Sequence, residues 1–241
     1  MAASIVSSAA LLLLADPRLP AGSHAHSGGV EPAVAAGLVR DEATLRAFLA
    51  GRLPTAGLVS AAFAAAACLE CPSPAPRWRL LDAELDARTP SPAQRAASRA
   101  QGRGLLRAAR ALWPSPSTGR DVLDAVAAGP GVEPGSWPHH AVVLGVCTRL
   151  AGGTPLDAAT LGATAAVTGP ASAAVRLLGL DPLAVHAMLA GLAAAVDAVS
   201  AAAVAAAAEA TGPADLPAPS APAMDVLAEQ HQCQEVRLFE S

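Results

Sequence analysis

The chain has 241 residues, of which 53% are hydrophobic and 15% are charged, and its formal net charge is −4. All 16 basic residues are arginine, which excludes the lysine of Walker A phosphate-binding loops and the lysine that forms Schiff bases or holds pyridoxal phosphate. The negative net charge argues against a general nucleic-acid-binding protein. The wealth of alanine, leucine and arginine, with few aromatic residues, predicts an all-α fold, a bundle of roughly ten helices.

Two further features of the composition concern the cellular location. The four cysteines do not have the spacing of a secreted disulfide scaffold. No positively charged stretch precedes the first leucine run, so a secretory signal is not predicted. We therefore expect a cytoplasmic protein.

The first predicted elements are two short apolar helices joined by a constrained loop. The leucine run 11–14 belongs to the first helix, which ends at Asp16 because a residue before proline is disfavoured in the α conformation. The second helix is predicted at 30–36, where the Glu31 carboxylate complements the N-terminal dipole. Prolines and glycines predict defined turns in the loop between them, and this loop contains Ser23, His24, His26 and Ser27. We expect it to present polar groups.

Two longer helices follow. One is predicted at 41–50, with Asp41 as its cap and Gly51 as its end, and the next at 58–69. The helix at 58–69 is rich in alanine and suits the centre of a bundle. It ends in the pair Cys68 and Cys71, for which we favour a buried or incidental role over metal or redox chemistry, because no second pair and no preceding strand is predicted.

A stripe of arginines marks the following helical hairpin. Its helices are predicted at 78–87 and, after the cap Ser91, at 92–113. Along the second helix, arginine recurs at every fourth position, namely Arg95, Arg99, Arg103 and Arg107. Three interpretations stay open: a solvated face, pairing with Asp82 and Asp86 across the hairpin, or a surface for an acidic protein partner.

The next predicted helices contain the remaining histidine pair and one isolated arginine. After a short helix at 121–128, His139 and His140 begin an apolar helix, and adjacent residues point to different helix faces, so they do not both ligate one metal. We interpret His140 as a packing or capping residue. A helix that starts at Thr154 is predicted to end at Gly169 and Pro170, beyond which Arg176 is the one charge in an apolar run.

The C-terminal part divides into a helix, a linker and a tail. A long alanine-rich helix is predicted at 182–210, and Asp197 near its centre argues against a membrane span. We thus predict one all-α domain over 1–212, a flexible Pro/Ala linker over 213–223 and a partner-binding tail over 224–241. The tail helix has an apolar face, which is typical of a segment that folds on a partner or docks back on its own domain.

Several separated motifs, in the correct order, resemble the urease accessory protein UreF family. The N-terminal segment matches the family pattern at Leu11, Leu14, Ala15, Asp16, Leu19, Pro20, Gly22, His26, Ser27, Gly29 and Glu31. The hairpin and the segment around Arg176 match more loosely. The tail matches at Met224, Asp225, His231, Arg237, Leu238, Phe239 and Ser241. His24 stands where the family usually has an aromatic residue.

The resemblance implies a dimeric all-α adaptor without catalytic activity that helps to insert nickel into apo-urease. Family members bind a UreD-type protein, also called UreH, and the GTPase UreG. The resemblance therefore implies that the complex handles nickel, that UreG binds GTP, and that this chain holds no cofactor stably. A transient nickel contact is expected at His26. The partner-interface candidates are His26, Ser27, Gly29, Glu31, Arg99, Arg103, Arg176, His231, Arg237, Leu238 and Phe239.

Two other functions are considered. One is a metal-dependent enzyme that uses His24, His26 and a third ligand that the sequence does not identify. The other is a GTPase-activating or regulatory protein for UreG, in which Arg99 or Arg176 acts in trans on the GTPase.

Overall fold

Twelve α-helices follow one another in the computed structural model, which describes residues 8–16, 18–21, 26–71, 73, 75–128, 136–234 and 238–239. In chain order they are α1 (Ser8–Ala15), α2 (Val30–Ala35), α3 (Glu42–Arg52), α4 (Leu58–Glu70), α5 (Trp78–Ala87), α6 (Pro92–Leu112), α7 (Arg120–Ala128), α8 (His140–Leu150), α9 (Pro155–Leu178), α10 (Pro182–Ala190), α11 (Ala193–Glu209) and α12 (Pro222–Gln232). The described ranges contain no β-strand. The all-α prediction is confirmed.

Three helices begin at the predicted caps, where a side-chain oxygen accepts a hydrogen bond from a backbone N–H of the first turn. Asp41 accepts from the Thr44 N–H at 2.8 Å. Ser91 accepts from Gln94 at 3.1 Å, and Thr154 accepts from Asp157 at 3.2 Å. These boundaries depend on neighbouring residues alone, which is why they can be predicted locally.

The core is built around α4, which packs against α8, α9 and α11. Eight consecutive residues of α4 are buried, and all but Phe63 and Cys68 are alanine. Such small side chains let other backbones come close. At Gly145 of α8, an added Cβ would lie 2.2 Å from the Ala64 carbonyl oxygen, so only glycine fits at this crossing.

Two predicted helix boundaries are wrong. Gly51 does not end α3, because a π-helical turn at Leu53–Gly57 joins α3 to α4 in one continuous helix, Glu42–Glu70. The predicted helix at 182–210 is instead two helices, α10 and α11, which meet at an angle of 48° after Gly191. The bend after Gly191 turns α11 so that it packs against α4.

The predicted end of a helix at Pro170 is also wrong, and the structure supplies the reason. Pro170 lies inside α9, which continues to Leu178. Proline has no N–H, so the carbonyl of Ala166, four residues earlier, loses its helical donor. The Nε atom of Arg52 donates to this carbonyl at 3.1 Å, and the helix continues with the carbonyl satisfied.

The segment predicted as a flexible linker is docked on α5. A 3₁₀ turn forms at Pro213–Asp215, and Leu216 is buried. The Arg88 guanidinium donates to the carbonyls of Ala214 at 2.8 Å, Leu216 at 3.0 Å and Pro217 at 3.1 Å. Arg88 therefore holds this segment against the bundle.

The continuous helix Glu42–Glu70 is long and apolar enough to cross a membrane, and α10 and α11 pass the same test only as a bent pair. Most of the apolar stretch in Glu42–Glu70 is buried inside the bundle. This stretch is therefore the central core helix of the bundle.

Candidate functional site

The loop before α2 is fixed against α9 by two glycines. Gly28 and Gly29 have φ values of 58° and 86°, a conformation that favours glycine. A Cβ on Gly28 would lie 2.8 Å from Cγ of Pro170. His26 and Ser27 are buried here, so these two side chains of the predicted loop are not presented at the surface; Ser23 lies outside the described residues.

Glu31, in the first turn of α2, binds the C-terminal tail. Its carboxylate oxygens accept hydrogen bonds from the backbone N–H groups of Leu238 at 2.8 Å and Phe239 at 2.9 Å. Nε2 of His231, which is fully buried in α12, lies 3.2 Å from Glu31 Oε2 and 3.3 Å from the Phe239 carbonyl oxygen. The tail thus closes over α2, more than 200 residues away in sequence.

Two further contacts fix the tail. The guanidinium carbon of Arg176, on α9, lies 4.3 Å from the centre of the buried Phe239 ring, a cation–π contact. Glu229 of α12 accepts hydrogen bonds from the hydroxyl of Ser91 and from the Ala93 N–H, the latter at 2.9 Å. The bond from Ser91 lowers the pKa of the Glu229 carboxyl. The described part of the tail is docked on its own domain.

A second polar cluster lies between α5, α6 and the start of α8. Arg99 donates to Asp82 at 2.9 Å and to Asp86 at 2.6 Å. The buried His139 ring bridges Asp86, 2.8 Å from Nε2, and Ser98, 2.9 Å from Nδ1. Burial disfavours the charged form of Asp86, but the bonds and charges of His139 and Arg99 outweigh this and lower the pKa of that carboxyl.

This cluster bears on the open interpretations of the arginine stripe. Asp82, Asp86 and His139 lie close enough to share one metal ion, but the Arg99 guanidinium already forms an ion pair with each carboxylate. Arg99 is 14% exposed and pairs across the hairpin, so it belongs to the fold and not to a free surface. Arg103 is exposed and lies over the Trp137 ring at 5.4 Å.

Burial favours the protonated form of Cys68, Cys71 and Cys147. Burial raises the pKa of Cys68 to about 12 and also raises the pKa values of Cys71 and Cys147. All of the described cysteines are free thiols. A thiol with a raised pKa is a poor nucleophile and metal ligand at neutral pH, which agrees with the buried role predicted for Cys68.

The structure brings five of the predicted interface residues together, although they come from three distant motifs: Glu31, Arg176, His231, Leu238 and Phe239. His26, Ser27 and Gly29 lie just before α2, beside this group. His24 and Arg237 fall outside the described residues. The sequence reasoning missed Arg52, and Pro170 within an apolar run was the one signal that a remote donor is needed.

Fold and site together define an all-α bundle protein whose C-terminal tail docks on the helix that follows its histidine-containing loop. The UreF family model matches residues 39–193. The curated urease accessory protein UreF of Mycolicibacterium vanbaalenii is 47% identical over 234 residues, which cover 97% of this chain and 98% of that protein.

Two more relatives with the same description show similar agreement. The protein of Mycobacterium sp. (strain JLS) is 47% identical over 231 residues, covering 96% of this chain and 97% of its own length. The protein of Mycobacterium marinum is 45% identical over 233 residues, which cover 97% of this chain and 98% of that protein. The chain belongs to the UreF family of urease accessory proteins.

Proposed function

We propose that the chain is a non-catalytic adaptor for urease maturation. It bridges a UreD/UreH-type protein and the UreG GTPase while nickel, the cargo, is inserted into apo-urease. The observation that supports this most is the similarity to urease accessory proteins over nearly the whole chain, including the N-terminal loop and the tail. We place the adaptor in the cytoplasm, as a homodimer.

Different parts of the site are proposed to serve different partners. The tail, with Leu238, Phe239 and Arg237, is the segment for the UreD/UreH-type protein. The loop with His26, Ser27 and Gly29 is the segment for the GTPase, and His26 is a transient nickel contact. GTP is bound by the partner and no cofactor is held by this chain.

Complementation tests the proposed function directly. A host that lacks this gene but retains the other urease genes should produce inactive, nickel-poor urease, and the wild-type chain should restore both activity and nickel content. A chain ending after Pro222 should stay a folded dimer, measured by light scattering, yet fail to capture the UreD/UreH-type protein. Full urease activity without the gene would refute the adaptor role.

A second candidate function, regulation of GTP hydrolysis, is favoured by the position of Arg176. Its guanidinium lies over the Phe239 ring of the tail, so undocking of the tail would uncover one face of a cation that can stabilise phosphate charge in trans. The test is GTP turnover by UreG in the assembled complex, with Arg176→Ala compared with Arg103→Ala. A change with Arg176→Ala alone supports regulation, and equal turnover excludes it.

A further inference from the structure

Arg52 is a partly buried cation with unused hydrogen-bond donors. Its Nε atom donates to the Ala166 carbonyl. Its two terminal nitrogens make no hydrogen bond or ion pair with any residue in the described ranges. Burial lowers the pKa of the guanidinium to about 10, because no nearby anion replaces the lost hydration. A buried charge without a counter-ion is costly and is uncommon without a functional reason.

The position of these free donors is defined by three elements. Arg52 ends α3, its Nε atom binds α9, and its Nη2 atom would lie 3.4 Å from a Cβ on Gly28. The Nη2 atom therefore faces the loop that contains His26. The Nε bond and the continuous helix Glu42–Glu70 fix the guanidinium before any ligand arrives.

The same loop contains a second unsatisfied group. The hydroxyl of Ser27, next to Gly28, is fully buried and has no hydrogen-bond partner within the described part of the chain. Buried hydroxyls are normally paired. Two polar groups without partners at one loop indicate that the isolated chain lacks a ligand there.

We propose that Arg52 is the docking point for a carboxylate, an aspartate or glutamate side chain of a protein partner that binds against the His26–Gly29 loop. A planar guanidinium with free donors suits a carboxylate, which accepts two parallel hydrogen bonds. The proposal rests on the adaptor function above, because it needs a protein partner at this loop. It adds to that function the chemical group that the partner presents, a carboxylate, and the residue that binds it, Arg52.

The test compares Arg52→Gln with Arg46→Gln, a matched control on the exposed side of α3. Each full-length variant is titrated with purified UreD/UreH-type protein, and the resulting complex with purified UreG. Arg52→Gln should weaken the UreG step roughly 30-fold or more and flatten its salt dependence, and capture of the UreD/UreH-type protein should not change. The variant also loses the hydrogen bond to the Ala166 carbonyl, so its melting temperature should fall while its circular dichroism spectrum stays helical. Arg46→Gln should change neither step.

The outcomes separate this proposal from the adaptor function. Wild-type capture of both partners, with the UreG step unchanged in Arg52→Gln, overturns the docking role alone. A wild-type chain that captures neither partner overturns the adaptor function and the docking role with it. If Arg52→Gln does not fold, Arg52→Lys is measured instead, because it keeps the charge but loses the planar guanidinium. Weaker binding of UreG by a folded Arg52→Lys variant supports the proposal. Unchanged binding, or failure of this variant to fold, overturns it.

Discussion

Replacing Glu31 with glutamine should release the C-terminal tail and leave the helical bundle folded. The carboxylate accepts two backbone hydrogen bonds, at 2.8 and 2.9 Å. Hydrogen bonds to a charged group contribute roughly 1.5–3 kcal/mol each, and glutamine keeps one acceptor while its NH2 group opposes the other amide. We expect docking to weaken by about 2 to 4 kcal/mol, so the ratio of docked to undocked tail falls roughly 30- to 700-fold.

Hydrogen exchange of peptides from α12 and the tail measures this release. Glu31→Gln should speed exchange at 238–239 and in α12, while α4 keeps its protection because the core does not involve Glu31. Glu209→Gln is the matched control, since Glu209 is an exposed carboxylate at the end of α11. Unchanged exchange of the tail in a folded Glu31→Gln variant would refute the role given to this carboxylate, as would faster exchange throughout the bundle.

Three further predictions concern stability. Gly28→Ala should lower the free energy of unfolding by about 1–3 kcal/mol, through its positive φ and its contact with α9, whereas Gly51→Ala, with open space around its Cβ, should raise it by up to about 1 kcal/mol. Arg99→Met should lower the free energy of unfolding by about 3–5 kcal/mol, because two carboxylates lose their cation. Arg103→Met should lower it by less than about 1 kcal/mol. Burial, followed by the nearby charge of His26, lowers the pKa of His140 from 6.5 to about 4. The free energy of unfolding should therefore fall by about 2 kcal/mol as the pH drops from 6.5 to 4. His140→Gln should remove the contribution of this histidine to that fall.

Urea denaturation, monitored by circular dichroism, measures all three. The pH prediction follows because the unfolded chain binds a proton at this histidine below its ordinary pKa, whereas the folded chain does not bind it until the pH approaches 4. Equal changes in the free energy of unfolding for the two glycine variants would contradict the role given to Gly28. Equal changes for the two arginine variants would contradict the role given to Arg99. A fall between pH 6.5 and 4 that persists fully in His140→Gln would show that another group is responsible.

Local chemistry made part of the fold predictable. Asp41, Ser91 and Thr154 cap their helices because the donor that each one needs is three residues away. The alanine-rich helix was placed at the centre because its small side chains suit close packing. Such features need no knowledge of distant residues, and the structure confirms them.

The features that escaped prediction depend on distant residues. Pro170 should end a helix on local grounds, and does not because Arg52, far away in sequence, satisfies the freed carbonyl. Arg99 could be assigned three roles from the sequence, and only the packing of α5 on α6 selects the pairing with Asp82 and Asp86. Glu31 was expected to complement a helix dipole, and its contact with the tail amides could not be foreseen from the spacing.

The distance along the chain between Glu31 and the tail gives their contact a further meaning. Glu31 leaves the ribosome early, whereas residues 238–239 are synthesised more than 200 residues later. A nascent chain can assemble the helical core in the meantime, yet the Glu31 carboxylate then has no backbone amides to bind. The closed arrangement is therefore a late event in the life of the molecule, formed after the rest of the bundle.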